Sequence, residues 1–418
     1  MAEKLSTHPG QRFACRDCPA RCCRLPASVA IDADDAARFL AEPWVRERLP
    51  EQGLAILERG VLPMREVERG LRCAFLDDDR LCGLQKRFGE AYLPRACQAF
   101  PFGFTRNEKD VTVAQLSQLC PSIRDNYGEP VDAQLRGKLA KKGATERMST
   151  AMATLRGVIL PRTQYLRVAA GWDEALASDA PPLPALARIY EATRAFEDAL
   201  PLGSEKVPDA AVDAALAEAA AREPEPLGAR RAPSFHARVV FAYLLGNLCY
   251  PSRVRLAQRM RTSASRFEAL WSFGNKLAWL LGRGTVDLLY VPRPFKLQRV
   301  RRVARFLAAD GAEARRVAAY LRLVLARRQI LSRPRHLMAV VLDLSLAAAV
   351  ISRFARCRAA ADERTTVSAE DVGEGISIAE LVLLSHRSLT EDGRLMKNLR
   401  WLLLTKPERF RGVLEGEA

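Results

Sequence analysis

The sequence predicts a mainly α protein, with a small irregular Cys-rich metal-binding module carrying short strands followed by a large all-helical body. Three observations carry this expectation. Eight of the ten cysteines lie between Cys15 and Cys120. Prolines and short apolar runs break the first 130 residues into small pieces, whereas beyond them Ala/Leu/Arg segments set apolar residues at helical spacing. The whole net charge of +16 falls in the second part, because residues 1–130 hold 19 Lys+Arg against 19 Asp+Glu and residues 131–418 hold 46 against 30. The expected division is a metal or iron–sulfur module at 1–130 and a basic helical body at 131–418. A flexible loop is expected at 223–233, where Glu223-Pro-Glu-Pro-Leu-Gly interrupts the helices.

In chain order, Cys15, Cys18, Cys22 and Cys23 surround Pro19 in a knot too tight for one helix to present all four. Residues 29–31 read as a short strand, and Asp32 as the N-cap of a helix over 33–41. Pro43, Pro50 and Pro63 cut the next stretch into short helices. Cys73 to Leu76 is extended, Asp77-Asp78-Asp79 is an acidic turn, and Leu81-Cys82 returns, which predicts a hairpin setting Cys73 beside Cys82. A helical turn at 85–89, a strand at 111–113 and the closing Cys120-Pro121 complete the module.

Beyond residue 130 strand-like alternation is absent, and helices are expected at 136–159, 164–177, 185–200, 210–222, 235–248, 252–281, 297–307, 312–329, 335–358, 376–385 and 394–404. Breaks are expected at Pro181-Pro182, at 223–233, at Pro292-Arg293-Pro294 and at Gly373 to Gly375. Residues 337–351 are almost entirely Leu, Val and Ala but are interrupted by Asp343 and Ser345. A membrane span needs about 20 apolar residues, so this stretch reads as a buried helix and no membrane span is expected.

A chain of 418 residues builds cores without disulfide staples. Residues 1–10 carry no apolar run, so no secretory signal is expected and the thiols are placed in reducing cytoplasm, where clustered cysteines more often bind metal than pair. Thiolates are soft ligands, and a zinc site or a 4Fe–4S cluster takes four of them, so eight cysteines allow one or two centres. Disulfide or redox-sensing roles and inert core thiols are the competing readings. Cys249 and Cys357 sit on apolar helix faces and read as core. His8, His236, His336 and His386 show no ligand spacing, and no base for hydrolase chemistry is identifiable.

Other motifs are weak. Gly282-Arg283-Gly284 and Gly373-Glu374-Gly375 lack the strand and helix that a nucleotide loop needs. Trp271 and Trp279, eight apart, read as a core stripe rather than a pocket wall. Between Arg293 and Arg358, 16 basic residues face only Asp310, Glu313 and Asp343, which points either to an acidic partner or nucleic acid, or to solvated arginine-rich faces.

The stretch from Phe13-Ala-Cys15-Arg-Asp-Cys18 through Cys22-Cys23, then Cys73-Ala-Phe-Leu-Asp-Asp-Asp-Arg-Leu-Cys82-Gly-Leu-Gln85, Phe88-Gly89-Glu90, Leu93-Pro94 to Cys97, Phe100-Pro101 and Leu119-Cys120-Pro121, resembles the YkgJ-like cysteine-cluster family of zinc- or iron-chelating proteins. Within it the chain is most similar to the flagellin lysine-N-methylase (FliB-like) branch. The resemblance covers about the first 125 residues. It implies a zinc or iron–sulfur centre held by Cys15, Cys18, Cys22, Cys23, Cys73, Cys82, Cys97 and Cys120. In the methylase branch it further implies methyl transfer from S-adenosylmethionine (SAM) to lysines of a protein such as flagellin. A non-catalytic zinc or iron–sulfur interaction protein on a basic scaffold is the alternative. The residues assign neither a SAM site nor a catalytic base.

Overall fold

The computed structural model describes residues 4–6, 10–15, 20–24, 29–67, 70–106, 111–142, 146–147, 151–177, 179–203, 207–222, 234–248, 266–326, 336–384, 403 and 407–415. Helix accounts for 62% and strand for 11%, so the chain is mainly α. The expected loop at 223–233, the first half of the helix expected at 252–281 and almost all of 394–404 lie outside the described residues, as do Cys18 and Cys249.

The first part is built from short pieces around two small apolar clusters. Strands β1 (Lys4–Ser6) and β2 (Arg12–Phe13) precede helices α1 (Ala33–Ala41), α2 (Pro43–Arg48) and α3 (Glu51–Glu58). Asp32 caps α1 as expected, its Oδ1 accepting from the Asp35 backbone N–H at 2.8 Å. The prolines act as read from the sequence, with Pro43 in the first turn of α2 and Pro50 immediately before α3. Ala30 makes only an isolated bridge to Val61, less than the strand expected there. Strands β3 (Met64–Val67) and β4 (Gly70–Cys73) pair antiparallel, followed by α4 (Gly83–Phe88), α5 (Arg95–Ala99), β5 (Phe102–Arg106), β6 (Val111–Leu116), α6 (Pro121–Arg124) and β7 (Glu129–Pro130). One cluster gathers Phe39, Val45, Leu57, Phe75, Leu76 and Leu84. The other gathers Phe13, Phe102, Phe104, Leu116, Ile123 and Val131, with Phe13 edge-on to Phe102 at 5.4 Å.

Helix α7 (Val131–Lys142) ends well before residue 159. The helix expected at 136–159 gives way to β8 (Glu146–Arg147), β9 (Ala151–Ala153) and β10 (Ile159–Pro161). β8 extends the β1-β6-β5 sheet, and β9 with β10 forms a hairpin. Gly157, with φ of 81°, supplies the left-handed residue that turns the chain between β9 and β10.

The body follows the helical periodicity closely. It comprises α8 (Arg162–Ala177), α9 (Pro182–Ala199), α10 (Asp209–Ala221), α11 (Phe235–Leu244), α12 (Arg266–Leu281), the pair β11 (Thr285–Val286) and β12 (Phe295–Lys296), a 3₁₀ turn at Leu297–Arg302, α13 (Ala312–Ala326), α14 (Leu337–Ala361), α15 (Ala369–Ala379) and α16 (Pro407–Leu414). A π-helical turn, Glu380–Leu384, continues α15. The 3₁₀ turn stands where a longer helix was expected at 297–307. α14 is the central element, packed by α9, α13, α15 and α16. It is the one described helix long and apolar enough to cross a bilayer, yet 94% of its apolar window is buried inside the protein. Cys357 is fully buried on it, as its apolar setting predicted.

The break expected at Gly373 to Gly375 does not occur, because both glycines lie inside α15. A Cβ at Gly375 would stand 2.7 Å from the Ile351 carbonyl oxygen, and one at Gly373 would stand 3.1 Å from Arg124 Nε. These glycines serve helix-to-helix approach rather than chain reversal. Gly375→Ala is expected to cost about 1–3 kcal/mol, read as a lower urea midpoint with an unchanged slope.

Glu197, buried where α9 meets the β9–β10 hairpin, is held by the Leu155 backbone N–H at 3.2 Å. Burial raises its carboxyl to about 7, the Leu155 hydrogen bond opposing in part. A raised folded-state pKa means that this group's contribution is fully present at low pH and is lost as pH rises through 7. Glu197→Gln is therefore expected to be more stable than the wild type above pH 8, by up to about 3 kcal/mol. The gain should shrink as pH falls and vanish below about pH 4, as thermal melts at pH 8 and at that pH would show.

Candidate metal centre

The loop from Cys73 to Cys82 is built by charge. Arg48 donates to the Ala74 carbonyl at 2.9 Å and to Asp77 at 2.6 Å, and Arg65 donates to the Leu76 carbonyl at 2.9 Å. Lys86 pairs with Asp79 at 2.6 Å and Asp77 at 3.3 Å, while Asp79 Oδ1 accepts from the Leu81 N–H. The acidic turn was legible in the sequence; its basic partners, drawn from α2, β3 and α4, follow no spacing rule. Gly83 closes the loop because a Cβ there would meet Trp44 at 3.0 Å.

The hairpin expectation holds with a shifted register. Cys73 pairs with Met64 across β3–β4, whereas Cys82 bridges Leu76, and Gly83 N–H donates to the Phe75 carbonyl at 2.7 Å. Cys73 and Cys82 nevertheless reach the same apolar cluster, together with Cys23 and Cys97. Cys22 and Cys23, on a short 3₁₀ turn (Arg21–Cys23), stand with their sulfurs 3.8 Å apart.

Electrostatics binds Cys22, Cys23, Cys73 and Cys82 into one group. Cys23 donates its S–H to Cys22, which raises its own pKa, and burial together with the charges of Cys22, Cys73 and Cys82 raises it further. The same bond lowers Cys22 against its burial. Burial pushes Cys73 up to about 12, with the Cys82 and Cys22 thiolates adding to the rise and the Phe75 N–H opposing it. Cys82 is raised by burial, against the Gln85 and Leu84 N–H groups at the start of α4. Cys23, Cys73 and Cys82 thus share one apolar recess in which a thiolate is disfavoured, with the exposed Cys22 hydrogen-bonded to Cys23 at its edge, and a cation would reverse the preference.

The sequence left open which of the eight cysteines share a centre. Cys22 and Cys23 join Cys73 and Cys82. Cys120 sits in the second apolar cluster with Phe13, and the exposed Cys15 lies two residues beyond Phe13. β2 is tied there by pairing with β7, by the Arg12 N–H to Asn126 at 2.7 Å, and by Gly128, where a Cβ would meet Ala14 N at 2.3 Å. Cys15, Cys22, Cys23, Cys73, Cys82, Cys97, Cys120 and Cys357 are thiols rather than disulfides. Among the described residues no group of three or more Cys, His, Asp or Glu stands at ion-holding spacing.

The body reaches this site through Tyr290, whose hydroxyl donates to the Arg24 carbonyl beside Cys23. Tyr290 is held in turn by Arg358, which donates to its carbonyl at 2.6 Å and pairs with Asp371 at 3.1 Å. A second junction lies near Cys120. Glu380 accepts from the Gln118 N–H at 3.3 Å and the Tyr320 hydroxyl at 2.8 Å, and Arg124 donates to the Gly373 carbonyl and Ser377 at 2.8 Å.

Part of the chain is similar to a flagellar protein. It is 25% identical over 146 residues to the flagellar biosynthetic protein FliU of Salmonella muenchen, a match covering 33% of this chain and 85% of that one. No family model matches the chain, and no solved structure matches it.

Among the described residues, many arginines of the basic stretch from Arg293 to Arg358 are engaged within the protein. Arg299 pairs with Glu363, Arg316 with Asp125, Arg322 with Asp173 and Arg358 with Asp371, while Arg356 is buried against the Val300 carbonyl. His336 Nδ1 lies 3.1 Å from the Thr154 carbonyl at the head of α14, in keeping with a structural histidine.

Proposed function

We propose that the chain is a cysteine-cluster metalloprotein of the reducing cytoplasm, working in a flagellar context. The observation that carries it is the gathering of Cys23, Cys73 and Cys82, all of raised pKa, in one apolar recess beside Cys22. The 3.8 Å between the Cys22 and Cys23 sulfurs supports a mononuclear ion, because a tetrahedral site with Zn–S near 2.3 Å has edges of about 3.8 Å. An all-thiolate set suits zinc or an iron–sulfur cluster, which when bound holds its ligands as thiolates. Cys97, at the margin of the same cluster, and Cys15, Cys18 and Cys120 complete the set that the YkgJ-like resemblance implies. The FliU similarity supports the flagellar setting.

Anaerobic purification with metal analysis and an absorption spectrum tests this reading. Stoichiometric zinc in a colourless protein, or iron with sulfide in a brown one, is the expected result. A full-length protein with neither, after reconstitution with both, would sink it.

Lysine methylation of flagellin is the second reading, favoured by the FliB-like motif order and by the flagellar relative. Gly373-Glu374-Gly375 lies within α15 and Gly282-Arg283-Gly284 follows α12, so neither stretch forms a strand–loop–helix nucleotide cradle. SAM binding by the metal-loaded protein, measured calorimetrically, decides between an enzyme and a non-catalytic binding scaffold. The internal pairing of the basic stretch disfavours a scaffold built on a nucleic-acid partner.

A further inference from the structure

We infer that the body carries a binding site for a compact oxyanion, a phosphate or carboxylate group, between α11, the end of α12, the 297–302 turn and α14. A cavity of about 110 Å³ opens there, lined by Arg238, Phe241, Trp279, Leu297, Arg301 and Arg353, with Gly282 at its edge. Three arginines line one small, mainly apolar space, and none of the described lining residues is a carboxylate. A single water needs roughly 10–15 Å³ of such space, so several waters or one oxyanion fit, whereas pockets enclosing whole cofactors run to ~300–1,000 Å³.

Two further observations point to an absent acceptor. The Trp279 Nε1–H is buried, in a residue only 2% exposed, and it and Arg238 Nε meet no hydrogen-bond partner. Native structures rarely leave such donors unmet. The arginines are also not needed to cap α12. Gly282, with φ of 65°, places its N–H on the Trp279 carbonyl at 3.2 Å and the Arg283 N–H on the Ala278 carbonyl at 3.1 Å, a Schellman closure. Arg238 and Arg301 are left beside the cavity without a capping role. Arg301 and Arg238 straddle this turn, their Nη2 and Cδ standing 3.4 and 3.7 Å from where a Gly282 Cβ would be. Arg353, 6% exposed, lies with its guanidinium 4.8 Å from the Phe241 ring centroid, which holds it flat at the cavity wall. Such a fork suits bidentate capture of an oxyanion. Trp279, read from the sequence as a core residue, is both core and wall.

The test is calorimetry and thermal melting of the full chain in phosphate-free buffer, titrated with inorganic phosphate, sulfate or acetate at constant ionic strength with chloride. Wild type is expected to bind phosphate saturably and to melt higher with it; the acetate arm tells a carboxylate site from a phosphate site. Arg238→Gln/Arg301→Gln is expected to weaken binding at least about tenfold while melting no lower than wild type without anion, because two like charges have been removed. Trp279→Phe, which keeps the ring and deletes the N–H, is expected to weaken binding several-fold, and it carries the test if the double variant does not fold. Failure of all three anions to bind saturably, or equal binding in wild type and every folded variant, overturns the inference.

Discussion

Cys22→Ser/Cys23→Ser is expected to lose essentially all of its bound metal, with affinity falling more than about a hundredfold. The two residues supply adjacent sulfurs and interact with both Cys73 and Cys82, so no rearrangement of that pair replaces them. Cys120→Ser should do less, because Cys120 belongs to the other apolar cluster. Elemental analysis of protein purified side by side reads both. If the double variant keeps stoichiometric metal while Cys120→Ser loses it, the grouping of thiols is wrong. Binding should also weaken as pH falls. Cys23, Cys73 and Cys82 are protonated in the metal-free protein and must release their protons to an ion, so each proton displaced costs about tenfold in affinity per pH unit.

Asp371→Ala is expected to cost about 3–5 kcal/mol. Asp371 is 1% exposed, pairs with Arg364 at 2.7 Å and Arg358 at 3.1 Å, and completes the capping box of α15 with Ser368. Burial alone would raise its carboxyl, but the hydrogen bonds from Arg364 and Ser368 outweigh burial and hold it below the ordinary range. Removing it strips the buried Arg358 of a carboxylate, and Arg358 positions Tyr290. Urea unfolding should show the loss of stability, and metal titration should show a weaker site although residue 371 touches none of the thiols. A variant that unfolds at the wild-type midpoint would show that these pairs contribute nothing net.

The helices of the body were legible because apolar residues recur at helical spacing through α8, α9, α10, α13 and α14, and Pro181-Pro182 marks a real boundary. Two readings failed for a shared reason, namely that local composition does not say what a residue will be packed against. Gly373 and Gly375 signal a break in isolation, but Ile351 and Arg124 press on them and the helix runs through. Residues 146–161 look helical by their Ala, Leu and Arg content, yet β8 finds a partner in β5 and Gly157 turns the chain between β9 and β10. At the candidate site the ligand residue type was visible and the grouping was not. Cys23 meets Cys73 and Cys82 only through the packing of one apolar cluster, which no local spacing announces. The three arginines of the anion cavity come from distant elements, and no spacing rule gathers them.

The hydrogen bond from Tyr290 to the carbonyl of Arg24 joins residues 266 positions apart. On a ribosome adding about 5–20 residues per second, Cys22 and Cys23 emerge roughly 15–50 s before Tyr290 is made. For that interval the sulfurs stand on a turn lacking its tether to the body, open to any oxidant or competing ion. The order of synthesis thus separates the making of these thiols from the making of the tether that holds their turn.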